Sequence, residues 1–236
     1  MAHQAMSYSQ ALLVRQKTVA PSSAVTNKPS PTSAPGSIRA DTKADPAERE
    51  RKVDHQPRTS QEESAVYVLT LSTTPSLSQP LTQLRDKHFP IHLNHTPAHL
   101  TMFHALPGSE MTGLVAALEQ HCRNTSPFKL TTGAPFRMKR GVGIRVGQGS
   151  QAAQRVHEEL QRRWADMLSA QDQQSWRPHW TVQNKVDDEV VAVKTMEEVQ
   201  EEFQGAEGLA KGCTLWRYEK SGHWTFERDF DFAGGK

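Results

Sequence analysis

The composition of this chain changes sharply near residue 63, and that change limits what can fold. Up to about Ser64, Pro, Ser, Thr, Ala and charged residues dominate, and Pro29, Pro31, Pro35, Pro46 and Pro57 interrupt any periodic pattern. Such a stretch buries too little apolar surface to offset the entropy lost on ordering. A disordered tail is therefore expected over residues 1–62 and a folded domain over residues 63–236. The second part is long enough to build one hydrophobic core.

Order begins with the β-rich run Ala65-Val66-Tyr67-Val68-Leu69-Thr70-Leu71. Leu77, Leu81 and Leu84 then recur at helical spacing, predicting a short helix to about His88. A strand is expected over 99–106, closed by Pro107-Gly108, and a helix over 110–124 with Met111, Leu114, Leu118 and Cys122 on one face. Short strands are expected over 128–132, 136–139 and 142–146. The helix over 151–171 has Val156, Leu160, Trp164 and Leu168 on one face, and Ser150 is its expected cap. A strand over 179–186 and a helix from Asp187-Asp188-Glu189 to about Phe203 follow, the acids suiting the positive helix start. Two last strands flank the turn at Ser221-Gly222. The order is βαβα, strands, αβα and two strands, a weak internal duplication that points to an α+β fold of two pseudo-symmetric lobes.

Charge and cysteine content exclude several functions. Residues 1–60 hold nine Lys and Arg against five Asp and Glu, while the rest holds 19 against 21. No basic face of the kind that grips duplex DNA is present. Cys122 and Cys213 are too few for a disulfide scaffold and suit a reducing compartment. No apolar run is long enough to cross a membrane, and Ala11-Leu12-Leu13-Val14 is too short for a secretory signal. An intracellular location, cytoplasmic or nuclear, is expected. The acid-free residues 1–40 are also compatible with a mitochondrial presequence.

The triplet H-x-T occurs three times: His99-Leu100-Thr101, His179-Trp180-Thr181 and His223-Trp224-Thr225. The first two each open an expected strand that leads to an amphipathic helix. The third follows a hairpin glycine and is read as a chance match. On a strand, residues i and i+2 point to one face, so His99 projects with Thr101 and His179 with Thr181. Brought side by side, such strands would gather two imidazoles and two hydroxyls around one phosphodiester. One imidazole would take a proton from the attacking oxygen and the other would give one to the leaving oxygen. The threonine hydroxyls would hold the non-bridging oxygens. No metal or other cofactor is required.

Pro97-Ala98-His99-Leu100-Thr101-Met102 and Arg177-Pro178-His179-Trp180-Thr181-Val182 resemble the paired signatures of the two-histidine phosphoesterase superfamily, in its 2′-5′ RNA ligase-like branch. The 80-residue separation is similar to that family's, and Gly141-Val142-Gly143-Ile144 and Leu215-Trp216-Arg217-Tyr218 add looser likeness. The resemblance implies a bilobal fold around a central cleft, and metal-independent chemistry on 2′,3′-cyclic phosphates, 2′,5′-linked bonds or RNA 3′ ends.

Further residues are candidates for substrate contact. Phe103 continues the His99 face and is a candidate for base stacking, and Gln183 continues the His179 face. Lys139 could meet a phosphate, and Tyr67 and Trp216 are strand aromatics. Each also has a plain structural reading: lobe packing, a solvated loop charge, or core. His92, His95, His99 and His104 cluster but fit no usual zinc spacing, and strand alternation turns His104 away from His99. The expected protein is a monomeric phosphodiesterase acting on an RNA 3′ end or a small nucleotide. The alternatives are a module that binds such a ligand without turnover, and a tail that recruits partners.

Overall fold

The computed structural model of the chain describes residues 56–60, 62–219 and 221–234. The expectation for residues 1–62 thus falls almost wholly outside the described residues. The few described before 65 lie against the domain: the Arg58 N–H donates to the Met167 carbonyl at 3.0 Å, and the Glu63 carboxylate accepts from the Ser109 N–H and hydroxyl.

Thirteen segments alternate along the domain. Strand β1 is Val66–Thr73, helix α1 Pro75–His88, β2 Leu100–Pro107, α2 Met111–Asn124 and β3 Phe128–Met138. They are followed by β4 Gly141–Val146, α3 Ser150–Trp164, β5 His179–Gln183, α4 Glu189–Glu202, β6 Glu207–Tyr218 and β7 Trp224–Asp231. Two short 3₁₀ turns, Ile91–Leu93 and Gly108–Glu110, complete the order.

The strands form one antiparallel path, β2-β1-β6-β3-β4-β5, with β7 beside β6. This path contains a two-fold relation. The chain repeats βαβαβ twice, as β1-α1-β2-α2-β3 and β4-α3-β5-α4-β6. Pairing β1·β2 corresponds to β4·β5, and β6·β1 corresponds to β3·β4. The remaining pairing, β3·β6, maps onto itself, so the pseudo-axis passes between residues 128–131 and 207–210. Past that point β3 leaves β6 and pairs with β4, with a register shift between Thr132 and Pro135. The two short strands expected over 128–139 are therefore one bent strand that carries the path from one lobe to the other.

The helices bury one face each against these strands, Leu77, Leu81 and Leu84 from α1 and Leu114, Leu118 and Cys122 from α2. Asp188 caps α4 by accepting from the Val190 and Val191 N–H groups, a contact worth about 1 kcal/mol. At α3 two expectations are corrected. The cap position is Gly149 and not Ser150, because the backbone there has φ 86° and a Cβ would meet the Lys129 carbonyl oxygen at 2.0 Å. The helix also stops at Trp164, short of Gln171. Beyond it the Ser169 hydroxyl accepts from the Asp172 N–H at 3.1 Å, and the Gln173 amide donates to the Ala165 carbonyl at 2.9 Å. Local side-chain bonds of this kind compete with helix propagation.

Candidate active site

Strands β2 and β5 are not neighbours; they end the sheet path on opposite sides. They nevertheless meet at a cavity of about 320 Å³ whose lining includes His99, Thr101, His179 and Thr181. The convergence arises from two lobes facing each other rather than from strands hydrogen-bonded side by side.

Each histidine is held in the same way. The His99 Nδ1–H donates to the Pro97 carbonyl at 2.7 Å, and the His179 Nδ1–H donates to the Arg177 carbonyl at 2.9 Å. A carbonyl can only accept, so Nδ1 carries the hydrogen and Nε2 is left as the nitrogen that can meet a ligand. Each ring also leans on an aromatic from another strand: His99 on Trp224 (centroids 4.6 Å) and His179 on the edge of Phe136 (5.6 Å). Burial, and then the nearby Arg85 guanidinium, lower the His99 imidazole to about 3 against the opposing pull of the Pro97 carbonyl. His99 is therefore uncharged at neutral pH.

The outer carbonyls of terminal strands need partners that no ladder supplies. Here the two lobes supply them to each other. The Trp176 indole, three residues before His179, donates to the Thr101 carbonyl at 2.7 Å. Arg85 of α1, which leads toward His99, donates to the Thr181 carbonyl at 2.8 Å. Arg85 is itself buried and also donates to Asn94 and to the Thr96 carbonyl.

Strand β2 does not alternate regularly. Thr101 faces Thr70 but Phe103 faces Leu69, so Met102 is an extra residue, and a second irregularity follows before Leu106. A bulge re-aims the side chains beyond it. Phe103 consequently turns into the core, fully buried, stacked on His157 (4.6 Å) and against the edge of Trp164 (5.2 Å). His104, expected to face away, lines the cavity instead. The backbone N–H groups freed by the bulge donate to the buried Asp172 carboxylate: His104 N at 2.9 and 3.0 Å, Ala105 N at 2.9 Å. Burial alone would raise the Asp172 carboxyl, but the His104 ring and these N–H groups outweigh it and hold it below the usual range.

The other candidates do not reach the cavity lining. Gln183 is buried and donates to the Thr195 hydroxyl at 2.7 Å. Trp216 is buried with its indole on the Thr70 hydroxyl at 2.9 Å, where it packs near Trp224. Tyr67 packs on the core, and burial raises its hydroxyl. Lys139 sits exposed at the β3–β4 turn. The third triplet, read as a chance match, holds Trp224 against His99 and His223 against His95 (4.1 Å). Arg85, Asp172 and Trp176 carry no local pattern that marks them, since each acts on a strand of the other lobe, while His104 and Trp224 lie in patterns that have other readings. A larger hollow of about 470 Å³ lies between α2 and α3, but its His121 is already engaged by Glu159 and Thr125.

No group of three or more possible metal ligands occurs among the described residues. No helix among them is long and apolar enough to cross a membrane.

A pseudo-twofold α+β domain with one H-x-T pair in each lobe defines the two-histidine phosphoesterase class. The model of the 2′-5′ RNA ligase superfamily matches residues 73–222, well over half the chain, and the protein belongs to that family. Solved structures of similar fold include E. coli LigT complexed with 3′-AMP (13% identity, 71% of this chain and 98% of that chain, TM-score 0.51). E. coli LigT complexed with phosphate and a protein described as a phosphoesterase are equally similar, each at 14% identity over 72% of this chain and 99% of that chain, with TM-score 0.51. A search of curated protein sequences finds no match.

Proposed function

We propose that the protein is a metal-independent phosphodiesterase acting on 2′,3′-cyclic phosphates or 2′,5′-linked bonds of RNA ends or small nucleotides. One observation carries this reading: two imidazoles, each with Nδ1 tied to a carbonyl, share a cavity with two threonines. His99, uncharged at neutral pH, is the general base. It takes a proton from the attacking water as the water oxygen bonds to phosphorus. His179, in its protonated form, donates to the ribose oxygen as the P–O bond breaks, and solvent exchange restores both rings. Thr101 and Thr181 donate to the non-bridging oxygens, where charge accumulates. The 3′-AMP and phosphate bound by E. coli LigT suit a ligand of this class.

The substrate is expected to be taken up by a monomer, without duplex DNA. A panel of 2′,3′-cyclic, 2′,5′-linked and 3′,5′-linked substrates, with products identified by phosphorus NMR, tests the reading. Cleavage of the first two classes in the presence of EDTA supports it. Prolonged binding of intact ligand would instead favour a module that holds nucleotides without turnover.

A further inference from the structure

Four imidazoles line the cavity; His157 bonds the Met102 carbonyl, and of the three whose Nδ1 partner is an oxygen beside the motifs, His104 differs from the other two. His99 and His179 donate to neutral carbonyls, whereas His104 Nδ1 lies 3.0 Å from Asp172 Oδ1. The Asp172 side chain is only 1% exposed, while that of His104 is 44% exposed. The carboxylate is thus a fixed, buried anchor, and the ring is open to whatever enters. Its Nε2 is the nitrogen left to meet a ligand. In its protonated form the ring donates from Nε2 with its charge compensated by Asp172, a combination suited to an anionic oxygen.

The pseudo-twofold relation gives the other lobe no matching imidazole. Strand β5 carries the corresponding bulge at Val182, so Gln183 matches Phe103 and Asn184 matches His104; Asn184 Oδ1 accepts from the Lys185 N–H at 2.8 Å, and the residue does not line the cavity. The far ends of the two motif strands are therefore chemically different: a side chain able to bind an anion follows the H-x-T pair on β2 and not on β5, while Arg177 lines the cavity before the β5 pair. Along β2, His104 falls one same-face step beyond Thr101, roughly 7 Å at about 3.4 Å per residue of the partner strand. It extends the row His99, Thr101 past the quartet rather than closing around it. Three observations thus coincide: a bulge that turns His104 into the cavity, a buried carboxylate that fixes the ring, and an asparagine outside the cavity lining at the matching place on β5.

We propose that His104, oriented by Asp172, forms a second anion subsite that takes a phosphate of the substrate other than the scissile one. The assignment rests on the phosphodiesterase reading and gives the cleft a direction. The scissile phosphate lies between the two H-x-T pairs, and the phosphate-bearing remainder of the nucleotide lies toward β2. The preferred substrates are then nucleotides or oligonucleotides with a phosphate 5′ of the reacting ribose.

Binding and turnover test this separately, on the full chain. Calorimetric titration with adenosine 3′,5′-bisphosphate and with 3′-AMP should show the bisphosphate binding about tenfold or more tighter to the wild type. In His104→Ala the two affinities should become nearly equal. His104→Asn, whose amide can still donate to Asp172, should show the same loss, with a thermal melt reporting that both variants fold. Turnover of 2′,3′-cyclic AMP with and without a 5′-phosphate should show the same preference in kcat/KM, mainly through KM. Equal affinities in the wild type, or a preference that survives in both variants, overturns the subsite. A preference that depends on His104 without turnover of either cyclic nucleotide upholds the subsite and overturns the phosphodiesterase reading.

Discussion

The indole of Trp176 donates to the main-chain carbonyl of Thr101 at 2.7 Å, and through that bond the segment entering one motif strand holds the other motif strand in place. Arg85 returns the tie to Thr181 at 2.8 Å. Both bonds satisfy carbonyls that the sheet leaves unpaired, and both join elements more than 70 residues apart. The geometry of the quartet depends on them as much as on the strands.

Removing one tie should loosen the site without dismantling the domain. Trp176→Phe keeps the ring beside His157 but loses the donor. About 1–2 kcal/mol of stability should be lost, the cost of leaving a partly buried carbonyl unpaired. On 2′,3′-cyclic AMP, kcat should fall tenfold or more with a smaller change in KM. Denaturant melts and steady-state kinetics on the same preparation check both numbers.

Stability should fall in mild acid, and His157 is one source. Burial lowers this imidazole to about 4 from an ordinary 6.5, against the pull of Asp172 and a bond to the Met102 carbonyl. Between those values the unfolded chain takes up a proton that the folded chain does not, so stability decreases as pH falls from 6.5 toward 4. At pH 5 the loss from His157 is about 2 kcal/mol. His99 acts with the same sign. Urea melts from pH 7 to 5 should show the decline, and His157→Gln should flatten part of it. An unchanged slope in the variant would contradict the assignment.

Phe103 separates packing from substrate contact. Fully buried between His157 and Trp164, it should cost about 3–5 kcal/mol of stability when replaced by Ala. Nucleotide affinity of the fraction that remains folded should change little. A selective loss of affinity at unchanged stability would return Phe103 to the cleft.

The elements that rest on local pattern were legible from the residues alone. The leucines of α1 and α2, the acidic start of α4 and the alternation that pairs His99 with Thr101 are all features of a few adjacent residues. What was hidden depends on partners far along the chain. The bulge at Met102 that exchanges Phe103 for His104 becomes stable because Asp172, about 70 residues away, receives the freed N–H groups. The early end of α3 belongs to the same arrangement, since it releases the segment that delivers Asp172 and Trp176. The internal duplication was visible as a repeat of βαβ units, but the crossing of β3 and β6 at the axis appears only in the strand pairings.

The central claim is that His99 and His179 divide the proton transfers at one phosphorus atom. Initial rates of 2′,3′-cyclic AMP hydrolysis by the wild type, His99→Ala and His179→Ala, with and without EDTA, test it most directly. Each substitution should lower kcat by roughly a hundred- to ten-thousand-fold, and EDTA should leave the wild-type rate unchanged. Wild-type turnover by either variant would contradict the account.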